Sequence, residues 1–215
     1  MRSVLIIGAG RFGGNLAEKL VDLKNEVMLV DRNEEVINRL APKVTRAQIG
    51  DCMDKDVLAA LGVRNFDICF VCISDNFQSS MEITSLLKEL GASYVVPKCD
   101  GDLHAELLLK IGADEVVYPE RDMAWRTAAR FSAKGAFDYI ELSPEYALIE
   151  IAPPASWVGH SLKELNVRSQ YGFNVIGVRV NGKVIPLTSA EHIFREDGHV
   201  LITGSQDQIH RVMDK

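Results

Sequence analysis

The chain has 215 residues, 47% of them hydrophobic, and a net charge of −6 from 24 basic and 30 acidic side chains. That length can bury one large core or two small ones. The basic residues are scattered, which excludes a nucleic-acid surface as the expected role. The apolar runs are strand-sized, well short of the roughly 20 residues that span a bilayer. Met1 and Arg2 lead straight into a strand, so no signal peptide is expected and the expected location is the cytoplasm.

Residues 4–31 set the organisation. Val4-Leu5-Ile6-Ile7 reads as an apolar strand, and Gly8-Ala9-Gly10-Arg11-Phe12-Gly13-Gly14 follows it. An amphipathic helix is expected over 11–23, with Phe12, Leu16, Leu20 and Leu23 on one face. A second strand over 26–31 ends in Asp31. A glycine motif alone is weak, but a strand before it, a helix after it and an acid at the next strand tip make a nucleotide-binding βαβ unit. Gly8 permits the tight turn, Gly10 lets backbone approach phosphate, and Gly13 lets helix and strand pack closely. The helix N-terminus offers free N–H groups to an anion. Asp31 can accept the hydroxyls of an adenosine ribose.

Asn33 is the expected cap of a helix reaching Leu40, which Pro42 ends. A third strand is expected over 44–49, then a helix capped by Asp54 and closed by Gly62. The fourth strand spans 67–73 and a helix spans 76–90, ending at Gly91. A fifth strand, 94–96, is stopped by Pro97. A helix carrying Leu103, Leu107, Leu108 and Ile111 ends at Gly112, and a sixth strand, 115–118, is stopped by Pro119. Six alternating units predict an α/β fold: a Rossmann-like doubly wound parallel sheet over residues 1–120. One linking helix follows within 121–136, expected over 122–134. The remainder, 137–215, reads as a small α+β lobe with strands at 146–151, 173–180, 183–186 and 199–203, and a closing helix over 206–213. Asn181-Gly182 marks a hairpin. So small a core invites support from a partner.

Ligands of doubly wound sheets bind at the carboxyl ends of the strands. The polar residues there are Gly8, Gly10, Arg11, Asp31, Arg32, Gly50, Asp51, Cys52, Ser74, Asp75, Asn76, Lys98 and Glu120; Phe12 and Gly13 complete the glycine motif. Arg11 can reach phosphate bidentately, or it is a surface charge. Arg11 with Lys98 suits more phosphate charge than a diphosphate carries, as in ATP. Glu120 is either a metal-side or subunit-contact carboxylate or a solvated acid. Cys69 and Cys72 form C-x-x-C within a strand, where residues three apart face opposite sides, so a shared metal is not expected. None of the five histidines sits in a catalytic motif, and sensing is favoured over enzymatic chemistry. A small NAD-dependent oxidoreductase and an NAD(H)-binding redox sensor remain alternatives that the glycines and Asp31 fit equally well.

The pattern resembles the cytosolic Ktr/Trk-type subunits of bacterial potassium uptake, built on an RCK (KTN) domain. The likeness rests on Ile7 to Gly14, on Val30-Asp31, on Lys110-Ile111-Gly112-Ala113-Asp114-Glu115-Val116-Val117-Tyr118-Pro119-Glu120, and in the second lobe on Ser161-Leu162-Lys163-Glu164-Leu165-Asn166-Val167-Arg168 with Tyr171-Gly172-Phe173-Asn174. The length fits the single-unit Ktr form. The resemblance implies homodimers that form an octameric ring beneath a membrane-embedded potassium channel, at the inner face of the membrane, and ATP or ADP in the first lobe. It implies that Arg11 meets the terminal phosphate, Asp31 the ribose and Lys98 the phosphates. It further implies that Glu120 joins a Mg2+ or Ca2+ site between subunits, and that Arg168 and Asn174 contact cyclic di-AMP in the second lobe, unless Arg168 braces that lobe instead. Pro97 departs from the Ala or Val common before the lysine.

Overall fold

The apolar run 4–7 becomes strand β1 (Ser3–Ile7), the centre of a five-stranded parallel sheet. The computed structural model describes residues 1–73, 76–132, 136–143, 145–187, 189–205 and 207–209. Its chain divides into two units, Met1–Glu120 and Arg121–Lys215.

In the first unit, β1 is followed by α1 (Arg11–Asp22), β2 (Glu26–Asp31), α2 (Glu34–Leu40), β3 (Arg46–Ile49), α3 (Lys55–Leu61), β4 (Ile68–Val71), α4 (Phe77–Glu89), β5 (Val95–Pro97) and α5 (Asp102–Lys110). The strand order is β3-β2-β1-β4-β5. Chain order therefore reverses between β1 and β4, and a crevice opens at the strand ends there. Strand alternation sorts the core into two faces. Val4, Ile6, Val27 and Leu29 pack with Ala17, Ile37 and Leu40. Leu5, Ile7, Val30, Cys69 and Val71 pack with Leu58, Ile83 and Leu87 on the other face. Cys69 and Cys72 fall on opposite faces, as their spacing predicts, and among the described residues no cluster suited to a metal forms.

The helix ends follow their local chemistry. Asn33, Asp54 and Asn76 accept hydrogen bonds from the backbone N–H groups of Val36, Asp56 and Ser79. Gly62, Gly91 and Gly112, just beyond helix ends, have φ of 68°, 84° and 105°, so glycine suits them.

Three expectations need correction. The sixth strand is reduced to a parallel bridge between Lys98 and Val117, because only Val117 N–H to the Pro97 carbonyl (3.1 Å) and Cys99 N–H to the Val117 carbonyl (2.9 Å) form. Strand β5 does end at Pro97, but the proline is its last residue, paired with Val71, rather than the residue after it. Pro119 does not stop a strand; it starts α6 (Pro119–Ser132), where its missing N–H costs nothing.

The second unit holds an antiparallel sheet of order β6-β7-β10-β8-β9: β6 (Ala136–Glu141), β7 (Tyr146–Ile151), β8 (Asn174–Val180), β9 (Lys183–Pro186) and β10 (His199–Ser205). Strand β6 lacks a clean alternation and escaped the sequence reading. So did the short helices α7 (Leu162–Leu165) and α8 (Val167–Tyr171). Their start is nevertheless encoded: Ser161 and Glu164 form a reciprocal capping box. Asn181 and Gly182 both have positive φ, 49° and 76°, as the β8–β9 hairpin turn requires. Trp157, Phe173 and Phe194 fill the core against Ile149, Val200 and Ile202. The closing helix expected over 206–213 lies largely outside the described residues.

Candidate nucleotide site

Gly8 has φ of +100°, and a Cβ there would lie 2.8 Å from the Cys72 carbonyl oxygen. A Cβ on Gly13 would overlap the Gly8 carbonyl oxygen. These two glycines therefore let the β1–α1 turn close against β4. Gly10 differs: it caps α1 with an ordinary φ of −62°, and no atom lies within 4 Å of where its Cβ would stand. It is the position at which the backbone is left open to the crevice.

The crevice, about 180 Å³, is lined by Gly8, Gly10, Asp31, Arg32, Gly50, Asp51, Cys52 and Asn76 among the sequence candidates. Asp31 fastens the turn. Its Oδ2 accepts from the Ala9 N–H (2.6 Å) and its Oδ1 from the Asn33 N–H (2.8 Å). One carboxylate thus ties the glycine loop to the tip of β2, and its remaining lone pairs are what a ribose could use. Asp51 Oδ1 accepts from the Met53 N–H at 3.0 Å and holds the β3–α3 turn. Burial, helped by the charges of Asp51 and Asp31, pushes the Cys52 thiol up to about 12; burial does the same to Cys72. Both thiols stay protonated near neutral pH and are poor nucleophiles and metal ligands.

Phe12 and Gly13 do not line the crevice. Phe12 packs into the sheet cluster with Val4 and Leu29, and Gly13 lies behind the turn. Ser74 and Asp75 lie outside the described residues. Lys98 is buried, with Nζ 2.7 Å from Glu120 Oε1 and 3.6 Å from Asp100 Oδ1. The hydrogen bond from Lys98 holds the Glu120 carboxyl below its usual range, with Arg11 adding a smaller pull. Arg11 is exposed and makes no hydrogen bond or ion pair among the described residues. A divalent cation does not fit this arrangement within one chain, because Lys98 already holds Glu120 and no acidic cluster completes a shell among the described residues. Arg168 and Asn174 are exposed, at α8 and at the start of β8.

Sequence reasoning missed Met53, Ile73, Ser79 and Ile83 as lining residues. Ser79 and Ile83 sit on the first turns of α4, where the cap Asn76 was the available signal.

Known proteins place this geometry. The TrkA-N domain model matches residues 4–119 and the TrkA-C domain model residues 146–215. This chain belongs to the Ktr/Trk family of RCK-domain proteins. Ktr system potassium uptake protein C of Bacillus subtilis (strain 168) is 39% identical over 206 residues, covering 96% of this chain and 93% of the relative. Ktr system potassium uptake protein A of the same organism is 36% identical with the same coverage. Among solved structures, the GsuK channel is 21% identical with a TM-score of 0.70, spanning all of this chain and 39% of that one. A structure of the GsuK channel bound to NAD gives 20% and 0.67, spanning 40% of that chain. At those identities the likeness is one of fold: a Rossmann-like first lobe with a small second lobe. No described helix is long and apolar enough to cross a membrane.

Proposed function

We propose that this chain is a cytosolic regulatory subunit of a potassium transport system, whose first lobe reads the phosphate number of an adenine nucleotide, ATP or ADP. The observation that supports this reading is Arg11: the first residue of α1, next to the Gly10 that lines the crevice, with a guanidinium that makes no hydrogen bond or ion pair among the described residues and whose charge acts on Glu120. Asp31 puts a negative charge at the ribose end, which disfavours a 2′-phosphate. Helix N–H groups serve the first phosphates, leaving Arg11 for the terminal one.

The mechanism is linkage. A nucleotide shifts a conformational equilibrium only through different affinities for two shapes. If Arg11 reaches the terminal phosphate in one shape of the assembly, ATP and ADP bias it differently, by roughly 1–3 kcal/mol per site. No bond needs to be made or broken, and the protonated thiols facing the crevice supply no nucleophile. The output passes to a membrane-embedded potassium channel through a homodimer built into an octameric ring at the inner membrane face. Helix α6 supports assembly: Met123, Trp125 and Phe131 are 59%, 63% and 77% exposed, apolar surface spread round the helix that a second copy would cover. A Mg2+ or Ca2+ ion at Glu120 would need carboxylates from a neighbouring copy. Cyclic di-AMP at Arg168 and Asn174 would be a second input, and both side chains are exposed to receive it.

Calorimetry with ATP, ADP, NADH and NAD tests the reading. Arg11→Ala should weaken ATP about tenfold or more, the scale of one charge-assisted contact, and adenosine hardly at all. Tight NADH binding with ATP ignored would make the protein an NAD(H)-binding redox sensor instead.

A further inference from the structure

His104, on α5, is a buried titratable group outside the nucleotide crevice. It is 5% exposed, and its Nε2 is sealed from water without a hydrogen-bond partner among the described residues. Its ring packs against Phe77 of α4, with centroids 4.4 Å apart at 43°. Phe77 opens α4 directly after the cap Asn76, whose Oδ1 accepts from the Ser79 N–H at 3.1 Å. Asn76, Ser79 and Ile83 line the crevice, whereas Phe77 and His104 do not. The two rings therefore back, from outside, a helical turn whose other side is a crevice wall.

The surroundings offer little to a charged ring. Among the described residues Asp100 is the charge that acts on His104, and it lies 3.6 Å from Lys98 Nζ. On the same helix, Asp102 accepts from the Tyr118 hydroxyl at 3.3 Å, and Glu106 pairs with Lys110 at 2.6 Å. The charged side chains of α4 have other partners: Glu82 meets Gln78, Lys88 meets Asp114 and Glu89 meets Lys55. An imidazolium in this place buries a charge and an unsatisfied N–H, and a cation–π contact with Phe77 offsets only part of that cost. Burial accordingly lowers the His104 pKa against the smaller pull of Asp100. Phe77 is 47% exposed, so the charged ring reaches water by parting from Phe77 rather than by unfolding the helix.

We propose that His104 is a positioning residue for the nucleotide crevice: uncharged, it holds the first turn of α4 through Phe77, and on gaining a proton it releases that turn and weakens nucleotide binding. This rests on the first lobe being a nucleotide site. The sign follows from linkage. The ring is neutral above about pH 6.5, so the hold is complete there and is lost as pH falls below that value. Reciprocally, a bound nucleotide makes His104 harder to protonate.

The test compares the full native chain with His104→Phe, which keeps a ring and cannot charge, and with His104→Gln as a second uncharged variant. ADP affinity is measured by calorimetry at about pH 7.5 and about pH 5.5, one unit either side of the ordinary histidine value, with circular dichroism confirming a folded chain at both. All three chains should bind ADP alike at the higher pH. At the lower pH the native chain should bind about three- to tenfold more weakly than the variants, tenfold being one pKa unit of coupling; the titration of ADP itself is common to all and cancels. Hydrogen–deuterium exchange without nucleotide, corrected for the intrinsic effect of pH, should show residues 77–83 losing protection at the lower pH in the native chain alone. Phe77→Ala should leave that segment poorly protected at both pH values. The proposal is overturned if native chain and variants share one pH profile of ADP affinity, if protection of 77–83 in the native chain does not depend on pH, or if Phe77→Ala keeps the native pH dependence. Failure of ADP to bind any chain at the higher pH would refute the nucleotide reading instead, and the exchange measurement, which needs no ligand, would still decide whether His104 holds α4.

Discussion

Gly13→Ala is the sharpest probe of how the glycine turn is built. The added Cβ would overlap the Gly8 carbonyl oxygen and stand 3.0 Å from Cys72 Cβ. The first obstacle is backbone, so no rotamer change relieves it. Moving the Gly8 peptide away from α1 pulls the Ala9 N–H off Asp31, a hydrogen bond of 2.6 Å to a carboxylate. Overpacking costs about 1–3 kcal/mol, and a hydrogen bond to a charged group contributes about 1.5–3 kcal/mol. The variant should lose roughly 2.5–6 kcal/mol on those two terms. The assay is urea unfolding followed by far-UV circular dichroism, with tryptophan emission as an internal control, because Trp125 and Trp157 both lie in the second unit. The first unit should unfold at lower urea while the tryptophan transition stays in place. Gly10→Ala is the counterpart. Its Cβ meets nothing within 4 Å and its φ suits any residue, so stability should change by no more than about 1 kcal/mol, the stiffer unfolded chain offsetting the poorer N-cap. Nucleotide affinity should still fall, because the methyl occupies the opening to the crevice. A Gly13→Ala variant within about 0.5 kcal/mol of the native chain, or a Gly10→Ala variant that binds ATP normally, would refute the reasoning.

Glu150→Gln should destabilise the second unit by about 3 kcal/mol, the scale for breaking a buried pair, read as a lower urea midpoint of Trp157 emission; an unchanged midpoint would mean that the pair contributes nothing net. Burial pulls the Glu150 carboxyl upward, but hydrogen bonds from Arg179 and His199 outweigh it and hold the group below its usual range. Its stabilisation is therefore present above roughly pH 4.3 and lost as pH falls through the lowered folded value; the acid limb of the Trp157 stability profile should be shallower in Glu150→Gln. His104 is buried, and burial lowers its pKa against a smaller opposing pull from Asp100. The neutral ring is favoured in the fold, so stability should fall on acidification below about pH 6.5, and His104→Leu should flatten that fall in the circular dichroism signal. Leu58→Ala, at a side chain 0% exposed in the core, should cost about 2–5 kcal/mol by the same measurement.

Local rules determined much of this protein. Apolar runs marked β1, β2 and β4, Asn33 and Asp54 announced helix starts, and Asn181-Gly182 announced a hairpin, because each signal sits within a few residues of its effect. The spacing of Cys69 and Cys72 was enough to separate them onto two faces. The glycine motif with Asp31 marked a crevice before any strand was paired, since that turn depends on residues that can take φ of +100° or let a helix approach closely.

Tertiary structure alone decided the rest. The run ending at Tyr118 has strand chemistry, but Val117 finds only a bridge partner beside Lys98, and Pro119 opens a helix. Asp31 proved to hold the loop as well as face the crevice. Lys98 meets Glu120 across 22 positions, Arg179 meets Glu150 across 29, and His199 meets Glu150 across 49. Periodicity and capping are read within one or two turns of chain, whereas the partner of a buried charge is chosen by which strands lie side by side. Among the described residues that choice left Arg11 without a carboxylate at ion-pair distance, and the proposed function gives that position to a phosphate.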